Sequence, residues 1–288
     1  MTDSVLRVDS LCKSYPSFKL KDVSFSLLPG RIMGFIGRNG AGKTTTLKAI
    51  YGLVEPDSGE IVFQGKSVSS SPNAKNDIGL LFGGIDFYPA QKVKTLTSVT
   101  RRFFLNWDQA LYEKWLSYFG IDENKKIREL SNGMKVKYGL AVALSHGAKL
   151  LLLDEPTSGL DPVSRDELLD CLRKIAEKKR AAILFSTHVI SDLEKCADDI
   201  TYIQKGRILY TGDVPSFKKG YFSVSGEESS LNEEQKASIS HLRVKDGRYE
   251  GVVSAQDAPL FQSAIRPAEL EEIMVSIERG NEDEESPL

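Results

Sequence analysis

The sequence predicts an α/β fold in which helices cover a largely parallel sheet. Short apolar and β-branched runs alternate with helical patterns over the first three quarters of the 288 residues. A glycine-rich loop, residues 37–44, follows one such run, and two carboxylates follow another, residues 150–153. Both arrangements are typical of the carboxyl edge of a parallel sheet, where ligands bind.

The candidate strands share a high content of branched aliphatic residues and phenylalanine. They are residues 23–28, 32–36, 78–82, 150–153, 182–185 and 200–203. Gly206 separates the last of them from residues 207–210, which predicts a hairpin that closes the core. Gly212, Pro215 and Gly220 then break the pattern, so we expect one domain over residues 1–215 and an extension over 216–288.

A helical subdomain is predicted inside the first domain, at about residues 88–146. The strand pattern disappears there, and large side chains recur at helical spacing. They are Phe103, Phe104, Trp107, Leu111, Trp115 and Phe119. We interpret these side chains as the packed faces of amphipathic helices rather than as a cofactor site.

The extension predicts a small α/β unit. Two strand-like segments, 221–225 and 248–253, precede a helical pattern at 267–277 and an acidic end at 278–285 that is expected to fray. No catalytic or metal-binding pattern is visible in it. We expect it to support a dimer, with a regulatory ligand module and a surface cap as the alternatives.

Composition limits the classes of function. Lys and Arg number 38 against 40 Asp and Glu, a net charge of -2, so no broad basic surface for nucleic acid is expected. The richest apolar runs are far shorter than the roughly 18 residues of a membrane span, and the N-terminus does not resemble a secretory signal. We therefore expect a cytoplasmic protein. Its widely spaced Cys12, Cys171 and Cys196 predict reduced thiols rather than disulfides or a zinc site.

The glycine-rich loop fits the phosphate-binding pattern G-x-x-x-x-G-K-[ST], between strand 32–36 and a helical stretch at 45–51. Its backbone N–H groups can point at phosphate oxygens, and the helix adds the positive end of its dipole. Lys43 would reach the β- and γ-phosphates and Thr44 would offer a hydroxyl to Mg²⁺. The alternative is a glycine-rich turn without a ligand. The candidate nucleotide-binding residues here are Gly37, Arg38, Asn39, Gly40, Ala41, Gly42, Lys43, Thr44 and Thr45.

Asp154 and Glu155 end the apolar run 150–153. A run this apolar should be buried on both faces of the sheet, which places the two carboxylates at its edge beside the phosphate loop. Asp154 could then hold Mg²⁺ through water, and Glu155 could orient the water that attacks the γ-phosphate. The alternative role for the pair is a helix cap.

These residues resemble the ATP-binding cassette (ABC) ATPases over about residues 4–215. Four further segments stand where that family has its signature (normally Leu-Ser-Gly-Gly-Gln), its D-loop, its switch histidine and its adenine-stacking aromatic. They are Leu130-Ser131-Asn132-Gly133-Met134, Ser158-Gly159-Leu160-Asp161, His188 and Tyr15. The resemblance implies a P-loop ABC-type core with a mostly parallel sheet, an antiparallel β portion and the inserted helical subdomain.

The resemblance also implies a mechanism. Two ATP molecules would lie between two cassettes, with Ser131, Asn132, Gly133 and Met134 contacting the γ-phosphate bound to the opposite subunit. His188 would contact the γ-phosphate, with Glu155 as its partner, and hydrolysis would loosen the dimer. Both a homodimer and a heterodimer remain open.

Two departures from the family pattern bear on catalysis. Asn132 and Met134 replace the first glycine and the glutamine of the signature. After strand 78–82, Gly83 stands where the family has a glutamine that reaches Mg²⁺ and the attacking water. Asp86 and Gln91 are off register and receive no role. We therefore expect slow or partner-dependent hydrolysis.

The family role implies a separately encoded integral-membrane permease and a peripheral position on the inner face of the cell membrane. Phe87, Tyr88 and Pro89 are candidates for the permease contact. Residues 103–108, the single cassette and the ending 267–277 resemble ABC-2-type exporters of drugs and antimicrobial peptides.

Three alternative classes fit the sequence less well. A soluble ABC ATPase that acts without a permease, as a regulatory or translation-associated factor, would carry tandem cassettes with a long charged linker. A chromosome or repair ATPase would carry a long coiled coil. A P-loop kinase or GTPase would not explain the signature, the D-loop and the switch histidine. No nucleic acid partner is expected.

Overall fold

The computed structural model describes residues 4–82, 88–261 and 265–280. They form two compact units, residues 1–211 and 212–288, which divide four residues before the position expected from the sequence. In chain order, the helices and strands that begin in the first unit are β1 (Leu6–Tyr15), β2 (Phe18–Leu27), β3 (Ile32–Ile36), α1 (Lys43–Ile50), β4 (Ser58–Phe63), β5 (Lys66–Ser67), β6 (Ile78–Phe82), α2 (Val93–Thr100), α3 (Gln109–Phe119), α4 (Asn132–Ser145), β7 (Leu150–Asp154), α5 (Pro162–Lys179), β8 (Ala182–Thr187), α6 (Ile190–Cys196), β9 (Asp199–Gln204) and β10 (Arg207–Asp213). The last two residues of β10 belong to the second unit.

A six-stranded sheet in this part of the chain carries the carboxyl edge that the sequence predicts. Its order is β10-β9-β3-β8-β7-β6, and the pairs from β9 through β6 are parallel. The four leucines of β7 are fully buried because the strand lies inside the sheet and both of its faces are covered. The predicted α/β class is thus confirmed.

A second, antiparallel sheet has the order β2-β1-β4-β5. Sequence reasoning found only the end of β2 and missed β1, β4 and β5. In β1 and β2 the buried residues alternate with exposed ones, and a register shift after Val8 interrupts the pairing. The alternation is typical of strands with one solvated face, and it is weaker in the sequence than the continuous apolar runs of the parallel sheet.

The predicted helical region contains α2, α3 and α4. Its core includes Val93, Tyr112, Leu116 and Tyr138, with Trp107, Trp115 and Phe119 packed against it. Phe103 was expected to pack as well, and this expectation is wrong, because its side chain is 74% exposed. Helix α2 ends at Thr100, and the chain continues as a 3₁₀ segment, Arg101–Phe103. The tighter turn of this segment takes its side chains, including Phe103, out of the register of the α-helix.

The second unit contains α7 (Val214–Lys219), β11 (Tyr221–Glu227), α8 (Glu233–Ser238), β12 (Ser240–Lys245), β13 (Arg248–Ser254), β14 (Ile265–Pro267) and α9 (Leu270–Gly280). Its antiparallel sheet has the order β12-β13-β11-β14. The helix predicted from residue 267 begins three residues later, because Pro267 pairs with Phe222 as the last residue of β14. Most of the predicted acidic tail lies outside the described residues.

No described helix combines the length and the apolar character needed to cross a membrane.

Candidate functional site

The phosphate loop lies between β3 and α1 and is shaped by close backbone packing. A Cβ at Gly42, where φ is 117°, would lie 2.5 Å from a methyl carbon of Leu20 and 2.9 Å from the ring of Phe18. A Cβ at Gly37 would lie 2.2 Å from the carbonyl oxygen of Ile203. Glycine is therefore required at both positions by space as well as by backbone conformation.

Lys43 is the first residue of α1 and is 6% exposed. Its ammonium group donates to the carbonyl oxygen of Gly37 over 2.6 Å and lies 3.5 Å from Oε1 of Glu155. A buried cation needs such partners. These contacts hold the Lys43 ammonium group inside the loop, where the sequence predicts that it reaches the β- and γ-phosphates.

Thr44 and Asp154 come together across the sheet edge. The threonine hydroxyl donates to Oδ2 of Asp154 over 2.7 Å. The other carboxylate oxygen, Oδ1, accepts from the hydroxyl of Ser186 over 2.6 Å. Both predicted oxygen donors for Mg²⁺ are thus adjacent, and a serine of β8 fixes the orientation of the carboxylate.

Glu155 adopts a left-handed backbone conformation, with φ of 49°. Its backbone N–H donates to the hydroxyl of Ser186 over 2.9 Å and to the Ser186 carbonyl over 3.1 Å. A non-glycine residue in this region is strained, and the two hydrogen bonds to β8 stabilise the turn. The turn directs the Glu155 side chain toward Lys43 and His188.

His188 follows β8, and its Nδ1 lies 2.8 Å from Oε2 of Glu155. The histidine side chain is 52% exposed and the glutamate side chain 23% exposed. When Nδ1 carries the proton and donates to the carboxylate, Nε2 is the ring nitrogen that remains available to a ligand. The two predicted catalytic residues therefore form one pair at the mouth of the phosphate loop.

Tyr15 lies at the end of β1, where its Cα pairs with that of Phe18 across the β1–β2 turn. Its ring is 38% exposed, and Phe18 reaches the phosphate loop at Gly42. An exposed aromatic ring thus lies on the hairpin that borders the loop. Sequence reasoning selected Tyr15 but missed Phe18.

The signature residues begin α4. Ser131 caps the helix, since its hydroxyl accepts from the Met134 N–H over 3.2 Å. Ser131 and Asn132 are exposed, Gly133 is buried and Met134 is half-buried. Two residues at the N-terminus of α4 are therefore at the surface.

The D-loop lies against the signature within the same chain. A Cβ at Gly133 would lie 3.7 Å from Leu160, and one at Gly159 would lie 3.5 Å from the side-chain amide nitrogen of Asn132. Ser158 and Gly159 are exposed. Asp161 caps α5, and hydrogen bonds from Ser164 lower the pKa of its carboxyl group from the usual value.

Two further residues support the site and were missed by sequence reasoning. Ser186 bridges Asp154 and Glu155, and Asp192 of α6 accepts hydrogen bonds from Thr157 and Arg165. The sequence contains only a weak indication of either role. Ser186 is a polar residue at the end of an apolar strand, and Asp192 comes four residues after His188. Gly83, Asp86 and Phe87 lie outside the described residues.

The chain resembles known proteins over about 71–75% of its length. A family model described as ABC transporter matches residues 20–158. The ABC transporter ATP-binding protein YtrB of Bacillus subtilis (strain 168) is 32% identical over 71% of this chain and 70% of its own length. The bacitracin transport ATP-binding protein BcrA of Bacillus licheniformis is 32% identical over 72% of this chain and 69% of its own length.

Among solved structures, CbiO1 from Clostridium perfringens, part of the ABC transporter complex CbiONQ, superposes with a TM-score of 0.66 and 26% identity. The match covers 75% of this chain and 90% of CbiO1. Likeness of this extent to YtrB, BcrA and CbiO1 shows that the chain belongs to the ABC transporter ATP-binding proteins.

Proposed function

We propose that this chain hydrolyses ATP as one half of a cassette dimer and thereby drives a separately encoded membrane permease. The observation that carries the proposal is the convergence of the phosphate loop with the Glu155–His188 pair, whose Oε2 and Nδ1 are 2.8 Å apart. Lys43 lies within 3.5 Å of the same glutamate. This arrangement supplies a cation for the phosphates and a carboxylate for the attacking water at one place.

Each residue then has a defined task. Lys43 and the loop amides bind the phosphates of ATP, Glu155 accepts a hydrogen bond from the attacking water, and Nε2 of His188 contacts the γ-phosphate. Tyr15 stacks on adenine. Threonine and carboxylate oxygens are ligands that Mg²⁺ accepts, so Thr44 and Asp154 fit the ion. When bound there, Mg²⁺ would neutralise developing charge on the phosphate oxygens.

The dimer part of the proposal rests on the exposed start of α4. Ser131, Asn132 and the N-terminal amides of the helix are at the surface, beside the exposed D-loop of the same chain. A γ-phosphate held in the loop of a second cassette would meet these donors. ATP would then join the two subunits, and its hydrolysis would separate them.

A permease contact is supported by exposed apolar side chains on the helical region. Tyr88 is 69% exposed, Phe103 is 74% exposed and Leu105 is 80% exposed. Exposed apolar side chains that form one patch are typical of a surface that another protein covers, and these three would supply such a patch. We propose export as the direction, because the chain resembles the ABC-2-type exporters.

The experiment is affinity purification of the Glu155→Gln chain from solubilised native membranes in the presence of ATP. Loss of the carboxylate should stop hydrolysis and trap the ATP-bound dimer. We expect a polytopic membrane protein to copurify in stoichiometric amount. The Lys43→Ala variant is the matched control, since it should bind ATP poorly and form no trapped dimer. Recovery with ribosomes alone would favour the translation-associated alternative and contradict the permease.

A further inference from the structure

An apolar groove lies between α3 of the helical region and α5 of the α/β core, far in sequence from the phosphate loop. Its cavity volume is about 430 Å³. Leu111 and Trp115 line one wall and Cys171 and Ile175 the other. Burial raises the pKa of the Cys171 thiol to about 11, so the thiol itself is uncharged at neutral pH.

Lysines surround the groove, all four of them exposed. They are Lys114, Lys174, Lys178 and Lys179. None of them forms an ion pair with a carboxylate in the described ranges of the chain. Four ammonium groups around one apolar cavity create a local positive potential, which favours an anion. The groove is therefore complementary to an occupant of negative charge.

The walls also limit the shape of the occupant. Both are helices whose backbone groups are bonded internally, so the groove offers no partners to the backbone of an extended peptide. A helix is about 10 Å wide with its side chains, so a cavity of this volume holds about one helical turn. An alkyl chain needs no hydrogen bonds and fits an apolar cavity of the size typical of small-molecule sites.

We propose that the α3–α5 groove binds a single-chain alkyl carboxylate, such as a free fatty acid. The chain would lie along Leu111, Trp115 and Ile175, and the carboxylate would lie among the lysine ammonium groups. Lysine side chains suit this role because their stems cover apolar surface while the charge stays in water. A ligand there would contact the helical region and the α/β core at once.

The test is titration of the full chain with sodium decanoate below its micelle concentration. The chain contains two tryptophans, so Trp107→Phe leaves Trp115 as the single fluorescent indole. We expect a saturable change in Trp115 fluorescence. Decyltrimethylammonium, with the same chain length and opposite charge, should produce no saturable change.

Charge variants locate the site. Lys114→Gln with Lys174→Gln removes one charge from each wall at exposed positions, and it should raise the Kd for decanoate about two- to tenfold, given the modest contribution of each exposed ion pair. Lys66→Gln is the matched control, an exposed lysine on β5 away from the groove, and its Kd should stay unchanged.

Three results of these titrations would overturn the proposal: no saturable change with decanoate, equal binding of the cationic amphiphile, or an unchanged Kd in the double variant. Binding of an acidic peptide in place of decanoate would also overturn it. None of these results depends on ATP hydrolysis or on a permease, so the groove and the proposed function are tested separately.

Discussion

The hydroxyl of Thr157 donates a hydrogen bond to Oδ2 of Asp192 over 2.6 Å. Thr157 comes two residues after Glu155 in the chain, and Asp192 lies in α6, four residues after His188. The aspartate is 1% exposed, and its other oxygen accepts from Arg165 of α5. This bond therefore connects the two segments that carry the proposed catalytic pair.

We expect Asp192→Asn to lower kcat for ATP hydrolysis about tenfold, the lower end of the effect typical of partners that orient reacting groups. The amide keeps the size of the side chain but loses the charge that pairs with Arg165. KM for ATP should stay within about twofold, because the phosphate loop is not in contact with the change. Steady-state ATPase measurements at several ATP concentrations separate the two constants.

Asp166→Asn is the matched control for Asp192→Asn. Asp166 is an exposed aspartate of α5 that pairs with Lys195, also exposed. Such a pair contributes about 1 kcal/mol or less, so kcat should not change. An equal loss of kcat in both variants, or a change in KM alone, would contradict a positioning role for Asp192.

Ser186→Ala tests the hydrogen bonds that join Ser186 to Asp154 and to Glu155. The change removes the hydroxyl that donates to Asp154 and accepts from the Glu155 N–H. Glu155 keeps one of its two backbone hydrogen bonds, so its strained turn should loosen. We expect kcat to fall about 10–100-fold and the Mg²⁺ concentration for half-maximal activity to rise.

Ser145→Ala is the control for Ser186→Ala, since Ser145 is also buried and donates to a helix carbonyl. It should alter stability without altering the Mg²⁺ dependence. If Ser186→Ala shifted only the melting temperature, the bridge to Asp154 and Glu155 would be structural alone.

The phosphate loop and the two carboxylates at the sheet edge can be predicted from the sequence. Each depends only on which residues directly follow one apolar strand. Lys43 and Thr44 begin a helix after a strand, and Asp154 ends a strand that is apolar throughout. Any fold that buries those strands in one parallel sheet brings these residues to the same edge. In the structure Thr44 accordingly contacts Asp154, and Lys43 lies beside Glu155.

The supporting residues could not be predicted in the same way. The role of Ser186 depends on β8 lying directly beside β7, and the role of Asp192 depends on how α6 packs after β8. Neither the order of the strands nor the packing of α6 can be read from the spacing of residues along the chain. Phe103 illustrates the opposite error, because helical spacing continues in the sequence after the α-helix has changed to a 3₁₀ segment.

Gly83 stands where related cassettes have a glutamine, and it lies outside the described residues. We expect the purified chain to hydrolyse ATP slowly and Gly83→Gln to raise kcat several-fold, because the family resemblance implies that a glutamine at this position reaches the attacking water. Gly83→Ala is the control, since it adds a side chain without an amide. Fast turnover by the unaltered chain that Gly83→Gln leaves unchanged would refute the expectation.

His146 makes the stability of the first unit depend on pH. It follows α4, is 2% exposed and stacks on Phe104 with ring centroids 3.8 Å apart. Its Nδ1 lies 2.9 Å from the carbonyl oxygen of Asn76. Burial lowers the pKa of its imidazole from the usual 6.5, so the folded chain keeps this ring neutral at a pH where the unfolded chain protonates it.

The unfolded state therefore binds the extra proton as the pH falls below about 6.5, and the free energy of unfolding decreases by up to about 1.4 kcal/mol per pH unit until the folded pKa is reached. His146→Gln cannot titrate in this range. We expect the wild type to be more stable than His146→Gln at pH 7.5 and to lose that advantage progressively toward pH 5.5. Urea unfolding followed by tryptophan fluorescence measures this, since both tryptophans lie in the helical region. A difference between the two proteins that stays constant with pH would show that His146 does not carry the dependence.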